Sequence, residues 1–288
     1  MVMTKHSIHN LEAIVKQVRR DIVRMVHGCQ SGHPGGSLGC TELLVCLYFE
    51  LMQRKAEFDL NGGGEDLFFL SNGHISPVFY SVLARASYFP VDELATFRKL
   101  NSRLQGHPAT HEGLPGIRVA SGSLGQGLSV AIGAAQAKKL NQDHHLVYVL
   151  MGDGELQEGQ VWEAAMYAAH NEMDNLIAIV DYNGAQIDGA TNDVLSLGDL
   201  PRKWMAFGWK VIEIMRGNDI GSVISGFRKA QALAANRVPV MVLLHTEMGN
   251  GVDFMMGSHK WHGIAPSDEQ LSSALNQNAE TLGDYIVS

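Results

Sequence analysis

The sequence predicts an α/β protein, a doubly wound parallel sheet with helices on both faces. Three observations lead there. Residues 145–151, 176–182 and 240–245 are almost wholly apolar, the pattern of strands buried on both sides. Residues 159–171 and 220–234 carry helical spacing between and beside such runs, and strand alternating with helix gives a parallel sheet. Glycine-containing turns follow the strand ends, at Ser71-Asn72-Gly73-His74, Gly152-Asp153-Gly154 and Asn183-Gly184. Ligands of open parallel sheets bind at such carboxyl ends.

Residues 11–29 place Leu11, Ile14, Val15, Val18, Ile22, Met25 and Val26 on one stripe, an amphipathic helix that residues 32–36 should end. Residues 41–52 are apolar nearly all round and read as a buried helix. A short strand at 66–70 feeds the loop 71–74, with a helix at 77–86 behind it. After the loop 105–116, residues 125–140 form a helix rich in alanine and glycine, suited to close packing. Strands at 145–151, 176–182, 209–214 and 240–245 and helices at 159–171, 220–234 and 267–279 complete the pattern. No repeat, low-complexity tract or linker interrupts it, so one domain spanning 1–288 is expected.

Composition narrows the class. Hydrophobic residues make up 45% and charged residues 18% of 288, an ordinary globular balance. Lys and Arg number 22 against 30 Asp and Glu, with no basic block, so no nucleic-acid surface is expected. No run approaches the ~20 apolar residues of a membrane span, and residues 1–10 hold no apolar core of a secretory leader. Cys29, Cys40 and Cys46 lie in apolar helical stretches and read as buried thiols of a reducing compartment. A soluble, cytoplasmic protein is expected.

The segment Met151-Gly152-Asp153-Gly154-Glu155 carries the most chemistry. Alone, Gly-Asp-Gly is a turn. Here an apolar strand delivers Asp153 into it, a helix follows from about Gly159, and Asn183 closes the next strand. Glycine lets the backbone approach a phosphate near that helix. A carboxylate, an amide oxygen and a backbone carbonyl just beyond Asn183 are hard ligands that suit Mg²⁺.

Gly-Asp-Gly followed some thirty residues later by Asn resembles the signature of thiamine-diphosphate enzymes, and other segments narrow the likeness to the transketolase family. These are Ser31-Gly32-His33-Pro34-Gly35-Gly36, Leu70-Ser71-Asn72-Gly73-His74, Gln105-Gly106-His107-Pro108, Gly122-Ser123-Leu124-Gly125-Gln126-Gly127 and Gly257-Ser258-His259-Lys260-Trp261-His262-Gly263. The likeness runs from about Leu11 to Gly263, with every motif in order. It implies the diphosphate-binding half of a split transketolase, and with it the thiamine-diphosphate-binding fold. Asp153, Asn183 and the Ala185 carbonyl would hold Mg²⁺, or Ca²⁺ or Mn²⁺ in its place. Gly154, His74 and His259 would meet the diphosphate of thiamine diphosphate. Gly122, Ser123 and Leu124 would line the cofactor, with Ile187 on its thiazolium, and His33, His107 and His259 would face the sugar. The family moves a two-carbon ketol unit from a ketose to an aldose, work for groups that donate and accept protons near neutral pH. Glu158 aligns with a glutamate of an acidic link between paired sites, and equally reads as a first-turn helix carboxylate. Met248 stands where lysine is common, which touches a substrate contact.

The pyrimidine-binding and C-terminal domains of the family would lie on a partner chain, giving a heterotetramer of two of each. Two other readings stand beside this one. The chain could be the alpha subunit of a 2-oxo acid dehydrogenase, which the early histidine loops oppose. It could be a non-catalytic cofactor-binding subunit, which would need neither the metal pair nor the histidines.

Overall fold

The computed structural model describes residues 6–55 and 57–286, so most of the 1–10 segment read for a leader, residues 1–5, lies outside the described residues. The strands are β1 (Leu67–Leu70), β2 (Val147–Gly152), β3 (Leu176–Tyr182), a two-residue hairpin β4 (Ala185–Gln186) and β5 (Gly189–Ala190), β6 (Lys210–Ile214) and β7 (Val240–His245). Five form one wholly parallel sheet in the order β1-β2-β3-β7-β6. The helices are α1 (Ile8–Cys29), α2 (Pro34–Gly39), α3 (Thr41–Cys46), α4 (Ser76–Arg85), α5 (Gly127–Leu140), α6 (Gly159–His170), α7 (Thr191–Leu195), α8 (Leu200–Ala206), α9 (Ile220–Leu233) and α10 (Asp268–Gln277). The predicted fold class is the observed one.

Strand alternation builds two cores from the same strands. On β2, Tyr148 and Leu150 face the layer containing α1, α3, α4 and α9, while Val147, Val149 and Met151 face α5, α6 and α8. β3 divides likewise, with Ile177 and Ile179 on the first side and Leu176, Ala178 and Val180 on the second. Each such side chain, wholly removed from water, contributes ~1.5–3 kcal/mol. The sheet is therefore a stiff platform for the loops at its carboxyl edge. Ala131 and Ala135 on α5 let that helix sit close to β2.

Differences from the sequence reading have local causes. Gln30, in the left-handed conformation (φ 50°), ends α1 by donating its N–H to the His27 carbonyl, and Pro34 then opens α2 inside the segment expected to be a terminator. The predicted helix 41–52 is α3 followed by a π-helical turn, Leu47–Leu51. β6 is an edge strand with exposed Lys210 and Glu213. Helix α10 begins with the capping box of Ser267 and Gln270. Cys40 and Cys46 are buried, Cys29 half-buried, and all three are unpaired. No helix among the described residues is long and apolar enough to cross a membrane.

Candidate active site

The turns leaving β1, β2 and β3 enclose a cavity of about 310 Å³. Its wall brings together His33, His74, Gly122, Leu124, Asp153, Gly154, Asn183, Ala185 and Ile187, nine of the residues singled out from the sequence. Ser123 and His107 lie just outside the wall. His107 packs on Gly122, where a Cβ would come within 2.7 Å of the ring, and the glycine's φ of 123° is itself barred to most side chains. His259 is exposed and outside the wall, and His262 takes the place expected of it. The 3-10 turn His259–His262 is held at its far end, where Trp261 meets the Phe254 ring and its carbonyl abuts Gly35. That anchorage turns residue 262 inward and leaves 259 in solvent. The sequence offered two histidines three residues apart and no means to choose.

Asp153 is buried, and its carboxylate ties two strand-end turns together. One oxygen accepts the Gly154 N–H at 2.7 Å and the other accepts the Gly184 N–H at 2.6 Å. Burial, with the Asp181 carboxyl beside it, pushes the Asp153 carboxyl up to about 7. Asp181 is raised too, by burial, while the Thr246 hydroxyl and the Asn183 amide donate to it. No lysine or arginine lines the cavity among the described residues. A bound cation would offset this concentration of acid, and the Asp153, Asn183 and Ala185 oxygens in one wall fit Mg²⁺ with phosphate completing its shell. No cluster of three His, Cys, Asp or Glu able to hold a metal occurs among the described residues, so a site here depends on amide, carbonyl and ligand oxygens. Two buried polar atoms in the wall, Asn72 Oδ1 and His33 Nδ1, have no partner among the described residues, the mark of a polar ligand's seat. Gly154 offers close approach rather than a free N–H, since that N–H is already given to Asp153.

His33, His74 and His262 form a triangle with ring centroids 5.1, 5.2 and 5.5 Å apart. Burial and mutual repulsion lower His33 to about 4 and His74 to about 3, and burial lowers His262 as well. All three are neutral at pH 7, each with one donor and one acceptor nitrogen. His107 is lowered by partial burial and by Arg98.

Glu155 received no role from the sequence. It is buried, and it accepts from the Ser71 hydroxyl, the Gly125 N–H (2.8 Å) and the Gly152 N–H (3.1 Å), so one carboxyl joins the turns after β1, before α5 and after β2. Burial raises its pKa against the pull of those bonds. An acid directly after a glycine turn reads as solvent-facing, which hid it. Glu158 is exposed at the cavity rim, at the N-cap of α6, and makes no capping bond. Met248 is buried against Gly35, beneath the turn that follows His33, so it is a packing residue.

Comparison with known proteins agrees with this geometry. The sequence profile of the family described as transketolase, thiamine diphosphate binding domain, matches residues 10–279. One of the two subunits of the apulose-4-phosphate transketolase of Phocaeicola vulgatus is 37% identical over 275 residues, covering 96% of each chain. The 6-deoxy-6-sulfo-D-fructose transketolase subunit SqwG of a Clostridium species is 39% identical over 247 residues, 85% of this chain and 87% of that protein. Among solved structures, the transketolase of Campylobacter jejuni superposes with a TM-score of 0.88 at 28% identity, over 98% of this chain and 45% of that one. The chain thus spans less than half of that transketolase.

Proposed function

The chain belongs to the transketolase family, as its thiamine diphosphate-binding domain, and from that premise we propose that it is the cofactor-holding subunit of a two-chain transketolase. In this reading the whole chain is one domain. It moves a two-carbon ketol unit from a ketose, carrying a terminal phosphate or sulfonate, to an aldose; pentose phosphates fall within that range. The observation that carries the reading is the shared cavity, in which the Asp153–Asn183 oxygens lie across from a triangle of neutral imidazoles. The 2-oxo acid reading has no use for that triangle.

Asp153, Asn183 and the Ala185 carbonyl would hold Mg²⁺. Gly154 and His74 would meet the diphosphate, and Gly122, Ser123, Leu124 and Ile187 would line the rings. When bound, thiamine diphosphate supplies the electron sink for cleaving the ketose carbon–carbon bond. The chain's own groups orient the sugar. Neutral His33, His107 and His262 donate to hydroxyl oxygens and accept the proton a hydroxyl gives up as its carbon becomes a carbonyl. Replacing His262 by alanine should lower kcat/KM ~10²–10⁴-fold, the range of a general acid–base group, whereas His259→Ala should change it less than threefold. Equal effects would return the sugar-facing role to His259.

The partner would bring the pyrimidine-binding domain, in a heterotetramer of two of each chain. Support comes from relatives named as transketolase subunits that match this chain in length. Exposed apolar side chains add to it: Leu124 and Ile187 at the cavity, and Val130, Met166 and Tyr167 on α5 and α6. The unpaired cysteines suit the cytoplasm. The test is a ketol-transfer assay with thiamine diphosphate and Mg²⁺ on the chain alone and on the chain co-expressed with its partner. Activity is expected only in the complex, and robust turnover by the chain alone would overturn the two-chain reading.

A further inference from the structure

We propose that Arg98 is a positioning residue of the sugar site, joining the loop that carries His33 to the loop that carries His107 and fixing the spacing of the two imidazoles. The proposal rests on the sugar-site reading and extends it to a residue outside the cavity wall. Arg98 Nη1 donates to Ser31 Oγ at 2.8 Å, two residues before His33. The face of its guanidinium lies against Gly106, one residue before His107, so closely that a Cβ there would stand 2.6 Å from Cζ and 2.7 Å from Nε. Glycine at 106 is what permits the stacking. Phe97 reinforces the clamp, its ring edge 3.4 Å from where a Gly32 Cβ would be.

The backbone at Arg98 sits in the left-handed region, with φ 56°, and is pinned there by its N–H donating to the Leu104 carbonyl at 2.9 Å. A non-glycine residue persists in that conformation where its surroundings over-determine it, and such residues gather at functional sites. Arg98 Nε is buried with no partner among the described residues, a further cost accepted for the placement. The His107 loop has its own anchors on α4, where Ser76 and Tyr80 donate to the carbonyls of Gly106 and Gln105. Neither bond reaches Ser31, and Arg98 supplies that link.

The charge has a second effect. His33 is faced by His262, Arg98 and His107, with the His74 ring 5.1 Å away, and His107 is faced by Arg98. A fixed cation disfavours the protonated imidazole, so it helps keep both rings neutral and able to accept a proton. Removing the cation raises the pKa of both and moves the acid limb of the rate profile to higher pH.

The experiment compares wild type, Arg98→Ala and Arg98→Lys, each in complex with the partner, and also follows imidazole titrations by NMR. In Arg98→Ala, kcat/KM for the ketose should fall ~10–100-fold, the scale of a displacement near 1 Å. The Kd for thiamine diphosphate should stay within twofold, and the His33 and His107 titrations should move up while that of His262 stays in place. Arg98→Lys restores the charge without the fork, so it should recover the titrations and the acid limb but not the full kcat/KM. Unmoved titrations, or a fall in cofactor affinity matching the fall in kcat/KM, would overturn the proposal in favour of a general structural role. The titrations need no turnover. A wild-type complex without ketol transfer would therefore sink the sugar-site reading while still testing the link between the loops.

Discussion

Asp153→Ala should abolish ketol transfer in the complex with the partner, by well over ~100-fold, since even outer-shell partners of a bound metal cost ~10–100-fold when replaced. The carboxylate is positioned for this by β2 on one side and the Gly184 turn on the other, with bonds of 2.7 and 2.6 Å. Raising Mg²⁺ and thiamine diphosphate together should recover part of the loss, because the Asn183 and Ala185 oxygens remain. The complex should still assemble on a sizing column. Stability is pulled in two directions: two N–H groups lose their acceptor, while a buried acid is removed from beside Asp181, leaving that carboxyl without its like-charged neighbour. An assembled complex of unchanged activity would favour a non-catalytic, scaffolding role instead.

The second large effect is expected at Glu155, and it falls on stability and activity together. Replacing it by alanine removes acceptors from the Ser71 hydroxyl and from the Gly125 and Gly152 N–H groups, in a place water does not reach. Hydrogen bonds to a charged group contribute ~1.5–3 kcal/mol each and are not additive. A total of ~3–5 kcal/mol is reasonable, which corresponds to a fall in Tm of ~6–15 °C. Glu155→Gln keeps the shape and one oxygen but faces an amide NH₂ toward one of the donors, so it should recover about half. Cofactor affinity should follow the same order, because the three turns that Glu155 joins form the floor of the cavity. A differential scan and a cofactor titration on the three proteins check both. A Tm within ~2 °C of wild type for Glu155→Ala would mean that the turns hold without it.

Long-range order was legible where it is written as pattern. The strands at 176–182 and 240–245 are observed as read, because a run of Ile, Val and Leu has few other ways to leave water. Helices α1, α5, α6 and α9 followed from their spacing, within a few residues at each end. The short pieces were not legible. The β4–β5 hairpin, α7 and α8 are each seven residues or fewer, below the length at which a helix or hairpin forms by its own propensity. α8 exists because Leu200 and Trp204 fill the second core, and tertiary packing of that kind leaves little local trace.

The candidate site divides the same way. Glycine turns and histidine loops stand out as residue types, so nine of the residues named from them line one cavity. Which of two histidines in a turn points inward depends on what holds the turn, here Trp261 against Phe254 and Gly35. Glu155 and Arg98 act by holding backbone or neighbouring loops in place, and side chains of that sort carry no signature of their own.

The strand order also bears on how the molecule is made. β7 lies between β3 and β6 but follows both in the chain. At ~5–20 residues per second, a ribosome takes roughly 3–12 seconds to pass from Tyr182 to Val240. Throughout that interval β3 presents an apolar edge with unpaired backbone groups, the kind of template on which nascent chains stick to one another. Slower translation over 183–239 would lengthen that exposure, and an N-terminal fragment ending before Val240 would keep it permanently. Yield of this protein should therefore respond to chaperone supply and to codon choice in that stretch more than to changes elsewhere on its surface.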